Sequence, residues 1–251
     1  MRKVFAREIN TVLVGSLCFV ALSCTLIDSP ASPRNTEPSS VSRNGLDEFP
    51  MAVGTTWVYS YIPYDPLPSD PTQIITATYL MTETVVETEV LPPYSAMKIR
   101  RDTSPVSSTP LTLTNLPVEE FWYVISGTLV FEQGQLPELA AFDPDYSRLA
   151  YDLPLVVGKQ WCPICLDLKN PDNPEDVHCE ANGMRTVIER TSYRTPLGEF
   201  EDCYEIIETY LSGGITRWFC NGVGVVAAKY DHAGTRFGFQ QELIKYLPSS
   251  P

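Results

Sequence analysis

The sequence predicts an all-β body laid out as an antiparallel meander, and three observations predict it. Runs rich in Val, Ile, Thr and Tyr alternate in polarity along the chain. Short Gly-, Pro- and Asn-containing connections separate them, and these join antiparallel neighbours; parallel crossovers need a dozen or more residues. No stretch beyond the first two dozen residues keeps a helical period. Composition agrees with a globular body, at 43% hydrophobic and 20% charged over 251 residues. A net charge of −13 works against nucleic acid as a partner, because affinity for a phosphate backbone comes from Lys and Arg displacing counterions.

Residues 1–23 have the make-up of a signal peptide. Arg2, Lys3 and Arg7 give a positive start, and Thr11–Ser23 is an uncharged run of 13 residues. That run is too short to span a bilayer, which takes about 20 apolar residues. It ends in Ala21-Leu22-Ser23-Cys24, which resembles the bacterial lipobox, with Ala21 standing where leucine is usual. The resemblance implies that Cys24 becomes the lipidated (palmitate-bearing) first residue of an exported chain. That chain would face the extracytoplasmic side of a cell or outer membrane. Loss of residues 1–23 removes three basic groups and one acid, leaving 15 basic against 30 acidic side chains, or −15. An acidic body is repelled by anionic headgroups, so membrane attachment rests on acyl chains. Residues 24–48, with five Ser and three Pro between Thr25 and Glu48, read as a disordered tether.

The β-rich domain is expected over 49–251. Two of its segments align without gaps, Phe49-Pro-Met-Ala-Val-Gly-Thr-Thr-Trp57 and Leu153-Pro-Leu-Val-Val-Gly-Lys-Gln-Trp161. Each is followed by a second aromatic cluster, Phe121-Trp122-Tyr123 and Arg217-Trp218-Phe219, which suggests two diverged halves, 49–152 and 153–251. The spacing between tryptophans differs between the halves, so the alternative is that P-x-x-V-G-x-x-W is simply a good strand entry. Pro ends pairing before the strand, Gly permits a turn or bulge, and Trp anchors a core. Thr72–Val90 reads as a strand region with Thr76, Thr78, Thr82, Thr84 and Thr88 on one alternating face. Five strands are expected later, at Met184–Tyr193, Phe200–Leu211, Ile215–Cys220, Val223–Tyr230 and Thr235–Tyr246.

With these motifs in view, the chain resembles a loose group of exported bacterial β-rich lipoproteins. The group's pattern runs P-L-x-x-G-x-x-W-x-Y, T-P-x-G-x-F-x-x-C-Y and W-x-x-x-G-V-G-x-V. Here it appears as Pro50…Gly54…Trp57-Val58-Tyr59, as Thr195-Pro196-Leu197-Gly198…Phe200…Cys203-Tyr204, and as Trp218…Gly222-Val223-Gly224-Val225. The resemblance implies a strongly curved antiparallel sheet or half-barrel with a concave apolar face. It brings no activity with it.

Five cysteines remain in the body. Cys203 and Cys220 flank a hairpin whose midpoint falls near Leu211-Ser212, so antiparallel pairing predicts a disulfide between them. Cys162, Cys165 and Cys179 lie around an acidic, Pro-containing loop, and three readings stay open. One is a structural disulfide from Cys162 or Cys165 to Cys179. Another is a Cys-x-x-Cys redox pair, which would make the chain an envelope thiol–disulfide oxidoreductase, although the α/β context of such motifs is missing. The third is a zinc site with His178, disfavoured because His178 and Cys179 are adjacent.

Other patterns carry little. Ser95-Ala-Met-Lys98 matches S-x-x-K but sits in a strand-like run without S-D-N or K-T-G partners. Asn170–Asp176 lacks the central Gly and terminal Glu of a calcium loop. The hydrolase, zincin and nucleotide motifs do not occur. Trp57, Tyr59, Trp122 and Trp218 are candidates to line a ligand groove, with core packing the competing explanation. The sequence therefore favours a non-enzymatic binding or structural envelope protein with no cofactor or metal. Its expected partners are the membrane through its lipid anchor, and an apolar ligand or another envelope protein.

Overall fold

The alternating runs become thirteen strands in a computed structural model of the chain. The structure describes residues 49–249 except 51, 68–69, 107–117, 135, 137, 145–146, 164–182 and 211. The signal segment, Cys24, the tether, Cys165, His178, Cys179 and the 170–176 loop lie outside the described residues. The strands are β1 (Thr56–Leu67), β2 (Asp70–Thr76), β3 (Tyr79–Leu91), β4 (Tyr94–Pro105), β5 (Glu119–Ser126), β6 (Leu129–Gln133) and β7 (Arg148–Asp152). They continue as β8 (Gln160–Trp161), β9 (Met184–Thr195), β10 (Gly198–Tyr210), β11 (Gly213–Cys220), β12 (Gly224–His232) and β13 (Gly238–Leu247). Every pairing is antiparallel.

The all-β, strongly curved antiparallel sheet expected from the sequence is what forms. Strand order is β7-β6-β5-β4-β3-β1-β13-β12-β11-β10-β9-β8, with β2 folded onto β1. Two six-strand meanders thus meet at the β1–β13 pair, and the sheet curls until its free edges approach each other. At that seam the Leu149 amide on β7 donates to the Pro163 carbonyl just after β8 (2.7 Å). The result is a nearly closed barrel, which removes most of the edge that an open sheet would expose. The expected Thr72–Val90 run divides in two. β2 pairs with the end of β1 (Tyr64 opposite Thr76) and β3 with its start (Tyr61 opposite Tyr79), so the chain must break step at 77–78. Ser95 and Lys98 lie on β4, a strand as expected.

The two P-x-x-V-G-x-x-W segments make the same local structure. Gly54 and Gly158 both adopt positive φ (92° and 85°). Their amides donate to the carbonyls of Val85 and Val187, each at 2.8 Å, and those valines donate back to Thr55 and Lys159, each at 3.0 Å. The next amides, of Thr55 and Lys159, close turns on Ala52 (3.0 Å) and Val156 (2.9 Å). Gly is required because L side chains are strained at that φ.

Inside the barrel, Tyr59, Val85, Met97, Ile99, Ile206, Phe219 and Leu243 are almost fully buried. Burial of each such side chain stabilises by roughly 1.5–3 kcal/mol. The hydrophobic cluster also extends over the outer face. Ala96, Val124 and Phe131 are register neighbours there, and Phe142, following a 3-10 turn at Leu139–Ala141, packs edge-on against Phe131 and Tyr94.

Candidate functional site

Alternation along the strands decides which side chains face inward. On β10 the inward series is Tyr204, Ile206, Glu208, Tyr210, so a carboxylate sits where the apolar pattern calls for another hydrophobic residue. Glu208 is 0% exposed. Three guanidiniums converge on it: Arg148 Nη2 from β7 (2.9 Å), Arg185 Nε from β9 (2.9 Å) and Arg217 Nη1 from β11 (2.6 Å). The Tyr210 hydroxyl donates to the same carboxylate. Burial pushes the Glu208 carboxyl up, but Arg185 and Arg217, with Tyr210 and Arg148, more than offset this and hold it down at about 2. Burial and the neighbouring Glu208 push the Tyr210 phenol up to about 12.

Arg185 also holds the seam. Its Nη1 donates to the carbonyls of Leu149 (3.1 Å) and Ala150 on β7. A side chain therefore satisfies backbone groups that a continuous ladder would have paired, and leaving them unpaired when buried costs about 1–3 kcal/mol each.

A second charge cluster occupies the facing wall. Arg101 on β4 lies between Glu83 on β3 (2.6 Å) and Glu119 on β5 (3.0 Å). The two clusters occupy matching positions in the ladders. Trp57 pairs with Glu83, which pairs with Arg101; Trp161 pairs with Arg185, which pairs with Glu208. The ion pair is the same in register and reversed in sign.

Between the clusters lies an open polar lumen of about 420 Å³. Its walls are Tyr61, Met81, Arg101, Thr103, Glu119, Glu132, Arg148, Arg217, Phe239 and Gln241, drawn from eight strands. The apolar end of the interior, near Trp57, Tyr59 and Tyr151, leaves only about 40 Å³. By the measure that one water occupies about 10–15 Å³, this holds no more than a few waters.

The four aromatic groove candidates are not brought together. Trp57 and Tyr59 face inward, where Trp57 Nε1 donates to the Val223 carbonyl (2.6 Å) and Tyr59 Oη to that of Val225 (2.9 Å). These carbonyls precede the stretch of β12 that pairs with β13, which begins at Ala227, so the two side chains fill a split in the sheet. Trp122 shares the outer face with its register partner Lys98, whose Nζ lies 5.9 Å from the ring centroid. Trp218 alternates with inward-facing Arg217 and Phe219 and packs on Tyr193, rings 4.7 Å apart.

Cys203 and Cys220 stand opposite each other on β10 and β11 and are disulfide-bonded, as their hairpin spacing predicts. Cys162 is also disulfide-bonded, while Cys165 and Cys179 lie outside the described residues. Among the described residues no group of His, Cys, Asp and Glu is arranged to hold a metal ion, and no helix is long and apolar enough to cross a membrane.

No family model matches the chain, and no curated protein is significantly similar. Two solved structures resemble its outline. One is a provisionally named lipoprotein from Parabacteroides distasonis, 16% identical, covering 79% of this chain and 97% of its own, with a TM-score of 0.43. The other is a provisionally named exported protein with a YmcC-like fold from Bacteroides fragilis, 12% identical, covering 79% and 98%, with a TM-score of 0.46. Both TM-scores lie below 0.5, so neither likeness bears on function.

Sequence reasoning missed the arginines of the lumen and the buried pair behind them. Glu208, Arg148, Arg185 and Arg217 come from four strands, and a lone charge in a strand ordinarily marks a solvated face. The available signal was the phase of Glu208 with Tyr204 and Ile206.

Proposed function

We propose that the chain is an exported, lipid-anchored envelope protein whose barrel-like body binds a small ligand in its lumen and performs no catalysis. The observation that carries the binding function is the lumen itself: an open polar space of about 420 Å³ with paired charges on facing walls. General acid–base catalysis works best with a group that titrates near the working pH. The wall behind the lumen instead holds fixed charges, with Glu208 fully buried and held at about 2 and guanidiniums that stay protonated. Fixed charges suit recognition.

Export is supported by the basic, then apolar, N-terminal segment and by the Cys203–Cys220 disulfide, a bond that persists in oxidising compartments. Anchoring is supported by the lipobox-like Ala21-Leu22-Ser23-Cys24. The test is metabolic labelling with an alkyne-bearing palmitate in an expressing bacterium. The wild-type chain should carry label in the membrane fraction, and Cys24→Ala should carry none. Equal labelling of both would remove the anchor from the proposal.

A further inference from the structure

The deep wall of the lumen holds three guanidiniums around one fully buried carboxylate. Glu132 forms a long ion pair with Arg148 (3.8 Å, beyond hydrogen-bonding distance), so this side carries three guanidiniums against two carboxylates. Arg185 directs its Nε to Glu208 and its Nη1 to the Leu149 and Ala150 carbonyls. Arg217 and Arg148 are used less fully. A guanidinium carries five N–H donors. Among the described residues Arg217 makes one hydrogen bond, Nη1 to Glu208, and Arg148 uses only Nη2, to Glu208 and to the Tyr210 hydroxyl (3.3 Å). Both side chains line the lumen. On the facing wall Arg101 is enclosed by Glu83 and Glu119, so the positive surplus belongs to the Arg148/Arg217 side.

We propose that Arg148 and Arg217 form an oxyanion-binding site, which takes the carboxylate or phosphate of a small hydroxylated molecule. This rests on the lumen being the binding site of the proposed function and names the ligand class it accepts. Guanidiniums suit the task because their donors match the geometry of planar and tetrahedral oxyanions. Glu208 fixes both side chains and so lowers the cost of ordering them when a ligand arrives. Tyr61 and Phe239, with ring centroids 5.5 Å apart, supply an apolar face for a ring. Thr103 and Gln241 supply hydrogen bonds to hydroxyl groups. A volume near 420 Å³ lies at the small end of ligand pockets, about 300–1,000 Å³, which suits a molecule of one or two rings.

The test is isothermal titration calorimetry on the full chain purified in detergent, with inorganic phosphate, glucuronate and glucose as probes. Glucuronate should bind saturably and glucose at least tenfold more weakly, with affinity for the anion falling as salt rises. Binding of phosphate alone would assign the site to a phosphorylated ligand, and binding of glucuronate alone to a carboxylate. Arg217→Gln and Arg148→Gln should each weaken the anion about tenfold or more. Glu119→Gln, which takes a carboxylate from the lumen wall and leaves Arg101 its pair with Glu83, should tighten it. Circular dichroism checks that each variant is folded. Should an arginine variant fail to fold, Glu119→Gln decides, because an unchanged or weaker affinity there overturns the proposal. No saturable binding of either anion, or equal binding of glucose, also overturns it. Palmitate labelling of Cys24 is independent of these outcomes, so failure of the site and failure of the anchor are read separately.

Discussion

Replacement of Glu208 by Gln keeps the shape of the side chain and removes the one charge on which Arg148, Arg185 and Arg217 converge. Two routes give the size of the effect. Removing one partner of a buried ion pair and leaving the other charged typically costs about 3–5 kcal/mol. The depressed carboxyl gives a similar figure. A fall from the ordinary 4.5 to about 2 corresponds to about 3 kcal/mol, at about 1.4 kcal/mol per pH unit. A carboxyl whose folded-state value is depressed stabilises fully above its unfolded value and loses that contribution as pH falls through its folded value. The wild type should therefore lose about 3 kcal/mol between pH 4.5 and pH 2 from this group alone, and Glu208→Gln should not. Urea denaturation of both proteins, repeated from pH 7 down to pH 2.5, measures the difference. At pH 7 the variant should be less stable by about 3–5 kcal/mol, and the gap should narrow below pH 4.5. Glu205→Gln is the control: that carboxyl is raised by burial and by Glu189, so its loss should leave stability equal or higher. A pH 7 loss below about 1 kcal/mol for Glu208→Gln, or a gap independent of pH, would refute the idea of an ionised carboxylate holding the three arginines.

Further outcomes follow from the same structure. Cys203→Ser/Cys220→Ser opens a bridge spanning 17 residues and should cost about 3 kcal/mol in urea denaturation. Arg185→Met keeps the buried stem and drops the bonds to Leu149 and Ala150; hydrogen exchange should quicken at least tenfold over 148–152 while β3 and β4 stay protected. Tyr59→Phe leaves the Val225 carbonyl without its donor and should lower stability by about 1–2 kcal/mol by thermal or urea unfolding. Insulin-reduction assays separate the two readings of Cys162, which is disulfide-bonded in the structure: a structural bridge gives background turnover for wild type and Cys162→Ser alike, and robust turnover lost in the variant would identify an exchange centre.

Particular residues show why the fold was legible in the sequence and the lumen was not. Gly198 and Gly213, the first residues of β10 and β11, and the turn at Asn221-Gly222 mark reversals whatever packs against them, so the β9–β12 meander and the Cys203–Cys220 bridge could be placed by counting. The two V-G-x-x-W segments were recognisable because backbone geometry at Gly54 and Gly158 demands the same residue twice. The charged walls follow a different rule. What matches between the halves is an ion pair at one register position, and its members are exchanged: Glu83 with Arg101 in one half, Arg185 with Glu208 in the other. Electrostatics constrains the product of the two charges and leaves each sign free, so residue-by-residue alignment sees Glu against Arg and scores a mismatch. Only the strand register shows that the same role is filled. The exchange leaves each pair neutral, so the polarity that an oxyanion would read comes from the residues added to it: Arg148 and Arg217 beside Glu208, and Glu119 beside Arg101.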